Sequence, residues 1–392
     1  MSVGTPYEVD LVEELARHDV IVCCGAGGVG KTTVSAALGM AIAAARPSRV
    51  LVLTIDPARR LATALGLKTI GTQPVVIAPE QLRLTGLEPR GEMAAAMLDM
   101  KSEWDRLIDR YAPNSQIRNR ILASPFYKGI SEAFIGSHEY MALEALYRFH
   151  SSGEYDCIVV DTPPSRGALD FLEAPTRITD FVGVRLLAWL AGPARVGWRA
   201  LNFTAAPFLR LADRLLGGDV LQELGAFVRD IETLYGGVQQ RAEAVSRLLR
   251  SRNTAFAVVT TLEAAPFAES VFFCTKLREY SMPLRAVVVN RVLPDVLRDR
   301  GAVRAATTLI EDPGIASWME DELGQPVDAE TPHRLGEAFL ALNEVAEANS
   351  AQMTRLARFG RIPIARLPLA DRDVSDLEAL GHLARWLQGR PG

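Results

Sequence analysis

One run, Gly25-Ala26-Gly27-Gly28-Val29-Gly30-Lys31-Thr32-Thr33, constrains the fold more than any other stretch of this chain. It reads G-x-x-x-x-G-K-T, a loop whose backbone N–H groups turn inward on a triphosphate. The pattern requires a strand before it and a helix after it, and both are legible. Val20-Ile21-Val22-Cys23-Cys24 is a short apolar run of the kind that forms a buried strand. Thr32 to Ala45 is uncharged and Ala-rich, and reads as a helix whose positive dipole end faces the loop. Gly25, Gly27, Gly28, Val29 and Gly30 then supply the cradle, with Lys31 on the β/γ-phosphates. The Thr32 hydroxyl is placed to ligate Mg²⁺. The expected ligands are therefore a nucleoside triphosphate and Mg²⁺.

Further strand runs follow, alternating with helical patterns, which predicts a parallel sheet wrapped by helices. Val50 to Ile55 is a buried strand that ends at Asp56-Pro57-Ala58. A carboxylate at the C-terminal end of a parallel strand lies on the ligand-binding edge of such a sheet. Asp56 is equally suited to cap the next helix. Cys157 to Val160 is a strand ending at Asp161-Thr162-Pro163-Pro164, and Asp161 suits the metal side of the site, acting through a metal-bound water. Short strands are also expected at Val75–Ile77 and Leu82–Thr85, and a helical pattern from Glu92 to about His150. Val220 to Arg250 reads as one long amphipathic helix, loosened at Gly236-Gly237. Two more buried strands are read at Ala255–Thr260 and Arg285–Val289, and the last near Ile362–Arg366, with a closing helix over Val374–Trp386. Asn290, just past a strand end, can pair with a base edge or close a turn. The stretch between Pro294 and Arg361 is mostly helical in pattern.

The chain has 392 residues and 48% apolar residues, enough for a substantial core. Its net charge is only -4 and no Lys/Arg block stands out, which argues against nucleic acid as a partner. No signal peptide is visible and the longest uncharged run, Thr32 to Ala45, is short of the ~20 residues that span a bilayer, so a soluble cytoplasmic protein is expected. Cys23, Cys24, Cys157 and Cys274 form no C-x-x-C pair. His138-Glu139 begins like H-E-x-x-H, but position 142 is Ala, so no zinc site is expected there. Thr176 to Gly218 carries large apolar residues at helical spacing, including Trp189 and Phe208, interrupted by arginines. It reads either as a helical cap on the core or as a surface for an apolar client.

Taken together, Gly25 to Thr33, Asp56-Pro57-Ala58, Asp161-Thr162-Pro163-Pro164, Val258 to Glu263, Val289-Asn290-Arg291 and Leu367-Pro368-Leu369 resemble the family of the arsenite-pump ATPase and the ATPase of tail-anchored membrane-protein targeting. The resemblance implies an α/β fold: a doubly wound, mostly parallel sheet of the phosphate-loop type. It implies a single domain over 1–392 with a helical subdomain inserted at about 92–150 and 176–218. It further implies a dimer with nucleotides at the interface, Thr33 on the phosphates beside Lys31, Asp56 orienting the attacking water, Asn290 on adenine and Pro368 lining the base pocket.

The chain departs from the family pattern in several places. Ala26 stands where the family's loop carries a lysine that reaches the partner's phosphates, and Ser165-Arg166-Gly167 replaces the usual T-G-H, with Arg166 as a candidate substitute cation. The C-x-x-C of eukaryotic targeting members is absent and no thiol triplet for arsenite can be picked out. The loss at Ala26 favours a heterodimer with a homologous subunit that keeps its lysine, a homodimer being the alternative. The expected function is ATP turnover coupled to movement of the helical subdomain and to handling of an apolar or membrane-protein client. The alternative is a nucleotide-binding regulatory or scaffold subunit with negligible hydrolysis.

Overall fold

A computed structural model describes residues 11–55, 60–67, 70–127, 137–162, 218–359, 362–370, 373–374 and 376–389. Its centre is a sheet of eight strands: β1 (Val20–Cys24), β2 (Arg49–Thr54), β3 (Val75–Ile77), β4 (Glu92–Met97), β5 (Cys157–Asp161), β6 (Thr254–Thr260), β7 (Leu284–Val292) and β8 (Ile364–Pro368). They lie in the order β3-β4-β2-β5-β1-β6-β7-β8. Every neighbouring pair is parallel except β3 with β4. From β1 the chain first builds outward to one side, returns through β5, and then builds the other side with β6, β7 and β8. This is a doubly wound α/β sheet, and its crevice lies beyond the C-terminal end of β1, where the two windings diverge.

β1, β5 and β6 are buried along their whole length, as parallel strands covered on both faces must be. Alternation along each strand divides the core in two. Val20, Val22, Leu51, Leu53, Ile158, Val160, Phe256 and Val258 face a layer that includes Trp104, Tyr140, Leu146, Val245 and Phe267. Ile21, Val50, Val52, Val159, Ala255, Ala257 and Val259 face the other layer, built on the helices Lys31–Ala45 and Leu377–Leu387. The helix Lys31–Ala45 is buried on nearly every side, which is why its sequence carries no charged stripe.

The first layer is tied by ion pairs, most of them between its helices, of which Glu144 with Arg241 is buried on both sides. Glu103, on Met100–Tyr111, is paired with Arg106 and with Arg148 (3.0 Å) of Ser137–Ser152. Glu144 is paired at 3.1 Å with Arg241 of Tyr235–Arg250, and Arg241 Nε also donates to the Tyr111 hydroxyl at 3.0 Å. Arg120, on Ser115–Ala123, grips Asp230 of Gly218–Glu232 through two hydrogen bonds, of 2.8 and 2.6 Å. Burial pushes the Glu144 carboxyl above its ordinary range.

Several expectations need correction. Residues 82–85 are not a strand: Pro79–Arg83 is a short helix, opened by a proline in its first turn and closed over the Ala78 N–H by the Gln81 side chain. The helical pattern expected from Glu92 begins only at Met100. Glu92–Met97 is strand β4, whose Ala94, Ala95 and Ala96 favour helix by propensity but fit the tight space between β2 and β3. Val220 to Arg250 is two helices rather than one, Gly218–Glu232 and Tyr235–Arg250, and they part at Thr233-Leu234. Gly237 lies inside the second helix, where a Cβ would meet the Tyr111 ring at 2.2 Å. β8 and the closing helix begin two and three residues later than expected, at Ile364 and Leu377. Residues 176–217, Asp56 and Arg166 lie outside the described residues.

Candidate functional site

The C-terminal edge of the sheet collects most of the sequence-selected residues. β1 ends at Cys24, and the backbone turns at Gly25 with φ +153°, so close to β6 that a Cβ there would lie 2.0 Å from the Val259 carbonyl oxygen. The loop ends at Gly30, in the left-handed region with φ +91°, and the helix starts at Lys31. Gly30 is the N-cap and has no side chain to cap the first turn, so the amides of that turn are left for an anion. Lys31 is buried, and its ammonium curls back to donate to the Ala26 carbonyl at 2.7 Å. Ala26 is itself buried, within the core layer under the loop.

Asp161 closes the loop on its β5 side. It ends β5, flanked by Cys23 of β1 and Thr54 of β2, and is fully buried. Thr32 Oγ1 donates to Asp161 Oδ2 at 2.7 Å, and Thr54 Oγ1 donates to the same oxygen at 2.9 Å. Thr162 Oγ1 donates to the Cys23 carbonyl at 2.9 Å and fastens the end of β5 to β1. Because the Thr32 proton points at Asp161, the lone pairs of its oxygen remain for a cation. A hydroxyl and a carboxylate make an all-oxygen donor set, which suits Mg²⁺ and not a soft metal. Together with the glycine turns at Gly25 and Gly30, these residues fit a triphosphate and its Mg²⁺. Among the described residues no cluster of His, Cys, Asp and Glu is arranged to hold a metal by itself. The four thiols are buried, and burial pushes Cys23, Cys157 and Cys274 up to about 12, so they are protonated filler.

From Gly30 and Thr33 a cleft of about 1050 Å³ opens toward β7 and β8. Asn290 and Pro368 line it, as do Thr261–Ala264 after β6 and Val345, Ala348, Asn349 and Gln352 on one face of the helix Thr331–Leu356. Gly30, Thr33, Asn290 and Pro368 are thus brought to one cavity, while Lys31, Thr32 and Asp161 lie beside it at the start of the helix that follows the loop. The Asn290 amide is engaged within the protein: Nδ2 donates to the Val29 carbonyl at 2.9 Å and Oδ1 accepts from the Arg291 N–H at 3.0 Å. Sequence reasoning passed over Thr54, although it stands two residues before Asp56 at a strand end. It also passed over the helix face, whose Ala, Val and Asn carry no signal of their own. No helix among the described residues is long and apolar enough to cross a membrane.

Comparison with known proteins bears on this geometry. The family model of the anion-transporting ATPases matches residues 18–311. An ATPase GET3 from Malassezia globosa is 26% identical over 273 residues, covering 70% of this chain and 72% of that protein. An ATPase get3 from Aspergillus terreus is 28% identical over 299 residues, covering 74% and 80%. An ATPase ASNA1 homolog from Entamoeba dispar is 24% identical over 313 residues, covering 78% and 87%. The family match ends before the helix Thr331–Leu356 that walls the far end of the cleft.

Proposed function

The chain belongs to the anion-transporting ATPase family, and from that premise we propose that it is the Mg²⁺-dependent ATP-binding and ATP-hydrolysing subunit of a nucleotide-switched dimer. The observation that carries this reading is the meeting of Lys31, Thr32 and Asp161 at an uncapped helix N-terminus beside a cleft of about 1050 Å³. Lys31, with the amides of the first helical turn, holds the phosphates. Thr32 holds the metal directly and Asp161 through its water shell, while Thr54 keeps the Asp161 carboxylate in place. Bound Mg²⁺ supplies charge neutralisation on the phosphates. Asp56 orients the attacking water. No covalent intermediate is required, since positioning and electrostatics carry phosphoryl transfer. Asn290 and Pro368 serve the base end.

Ala26 shapes the proposal for assembly. It is buried and offers its carbonyl to Lys31, so the loop brings no second cation of its own from that position. A homologous subunit that carries a lysine there completes the site in a heterodimer. Cations at the transferring phosphate are worth roughly 10³–10⁵ in rate, judged from arginine fingers. In this reading ATP closes the dimer, hydrolysis opens it, and a helical subdomain moves to take or release an apolar or membrane-protein client. The same Ala26 favours a second reading, a nucleotide-binding scaffold with negligible hydrolysis.

The test is the oligomeric state and ATPase rate of the purified chain, alone and with lysine-bearing homologues. Weak activity alone and a large increase with a partner support the heterodimer, and full activity alone, unchanged by any partner, removes it. In the assembled complex, Asp56→Asn abolishes the increase if this subunit hydrolyses ATP and leaves it intact if it is a scaffold.

A further inference from the structure

We propose that Asn290 is a positioning residue for the phosphate loop: it holds the Val29 carbonyl so that Gly30 to Thr33 meet the phosphates, and it does so independently of any contact with the base. The inference rests on the nucleotide reading above and assigns one residue its work within it.

The geometry begins in the sheet. β7 and β8 pair in register up to Val289 with Arg366, and pairing resumes at Val292 with Pro368. β7 therefore advances three residues while β8 advances two, which is a bulge at Asn290-Arg291. Bulges next to sites re-aim a side chain. Here Arg291 takes φ 58°, a left-handed conformation shared with only one other non-glycine among the described residues, Ser281. That turn brings the Arg291 N–H onto Asn290 Oδ1 at 3.0 Å, so the oxygen side of the amide is claimed locally. The nitrogen side points across the cleft wall and donates to Val29 at 2.9 Å, a contact spanning 261 residues of sequence. The reversed amide would set oxygen against carbonyl and NH₂ against N–H, so the two partners select one orientation. Asn290 is buried, which makes the bond costly to lose.

The loop is shaped around this amide. A Cβ at Gly30 would lie 2.4 Å from Asn290 Nδ2, at a residue whose φ of +91° already favours glycine. Gly30 is the residue from which the helix amides fan out toward an anion. The strained bulge, the claimed amide and the missing Cβ converge on the peptide just before the phosphate-facing helix. A residue that served the base alone would need none of them.

The experiment compares the full-length wild-type chain with Asn290→Ala and Asn290→Asp, titrated calorimetrically with Mg·ATP and with Mg·tripolyphosphate, which has the phosphates but no base or sugar. Thermal unfolding is followed in parallel. The expected result is that Asn290→Ala weakens tripolyphosphate roughly tenfold and ATP by at least that factor. Asn290→Asp, which still accepts from Arg291 but turns a carboxylate oxygen on Val29 and the phosphates, weakens both by roughly a hundredfold. Both variants unfold far above the titration temperature, so lost affinity is not lost fold. If Asn290→Ala weakens ATP but leaves tripolyphosphate unchanged, the amide acts on the base and the proposal is overturned. It is overturned equally if neither affinity moves, or if tripolyphosphate fails to bind wild-type protein that binds ATP. Wild-type protein that binds neither ligand sinks the nucleotide reading itself, and is told apart by that result.

Discussion

The two ends of the cleft are built by different means. The loop end, which the proposal gives to the phosphates, is a contiguous loop between β1 and its helix, closed by one carboxylate from the neighbouring strand β5. Its contacts come from backbone amides and from the φ angles that only certain residues adopt, so it leaves a strong imprint on sequence. The far end is assembled from the turn at Thr261–Ala264, the β7 bulge, a face of the helix Thr331–Leu356 and the residues after Pro368. There the requirement is shape, and many residue types meet it. A site can thus be rigidly specified at one end and tolerant at the other, with Asn290 reaching between them.

Three substitutions bear on that contrast. The largest effect is expected at the loop end: Asp161→Asn keeps the shape around Thr32 and Thr54 but removes the charge, and lowers the rate of ATP hydrolysis by roughly 10²–10³. Steady-state phosphate release measures it, and an unchanged rate would mean that Asp161 is only a core residue. Next comes Gly25→Ala, whose Cβ would lie 2.0 Å from Val259 O at a φ of +153°. It is expected to cost about 2–4 kcal/mol of folding stability, read as a shifted urea midpoint. The smallest effect is expected at the tolerant end. Val345→Ala, at an exposed position on the cleft wall, raises KM for ATP about twofold to fivefold and leaves kcat unchanged. A thousandfold loss there would erase the distinction between the two ends.

How far the sequence revealed the molecule follows the same line. The strands β1, β2, β5, β6 and β7 were legible as apolar runs because they are buried on both faces. β4 was not, because Ala94–Ala96 speak for helix until a neighbour on each side claims their backbone groups. The break at Thr233-Leu234 has no sequence signal, because glycine points to loosening at 236–237, whereas Gly237 is there to admit the Tyr111 ring. Within the site, the loop and Asp161 announced themselves. Thr54 and the face of Thr331–Leu356 did not, since a hydroxyl on a carboxylate and a valine on a cleft wall acquire meaning only from what the fold sets opposite them.

The central claim, that Gly25 to Thr33 holds a nucleotide by its phosphates, is tested most directly by calorimetric titration of Mg·ATP into the wild-type chain and into Lys31→Ala. The account predicts saturable binding at one nucleotide per chain, weakened at least a hundredfold when the Lys31 ammonium is removed. Equal affinity for the two proteins, or no saturable binding to the wild type, would contradict it.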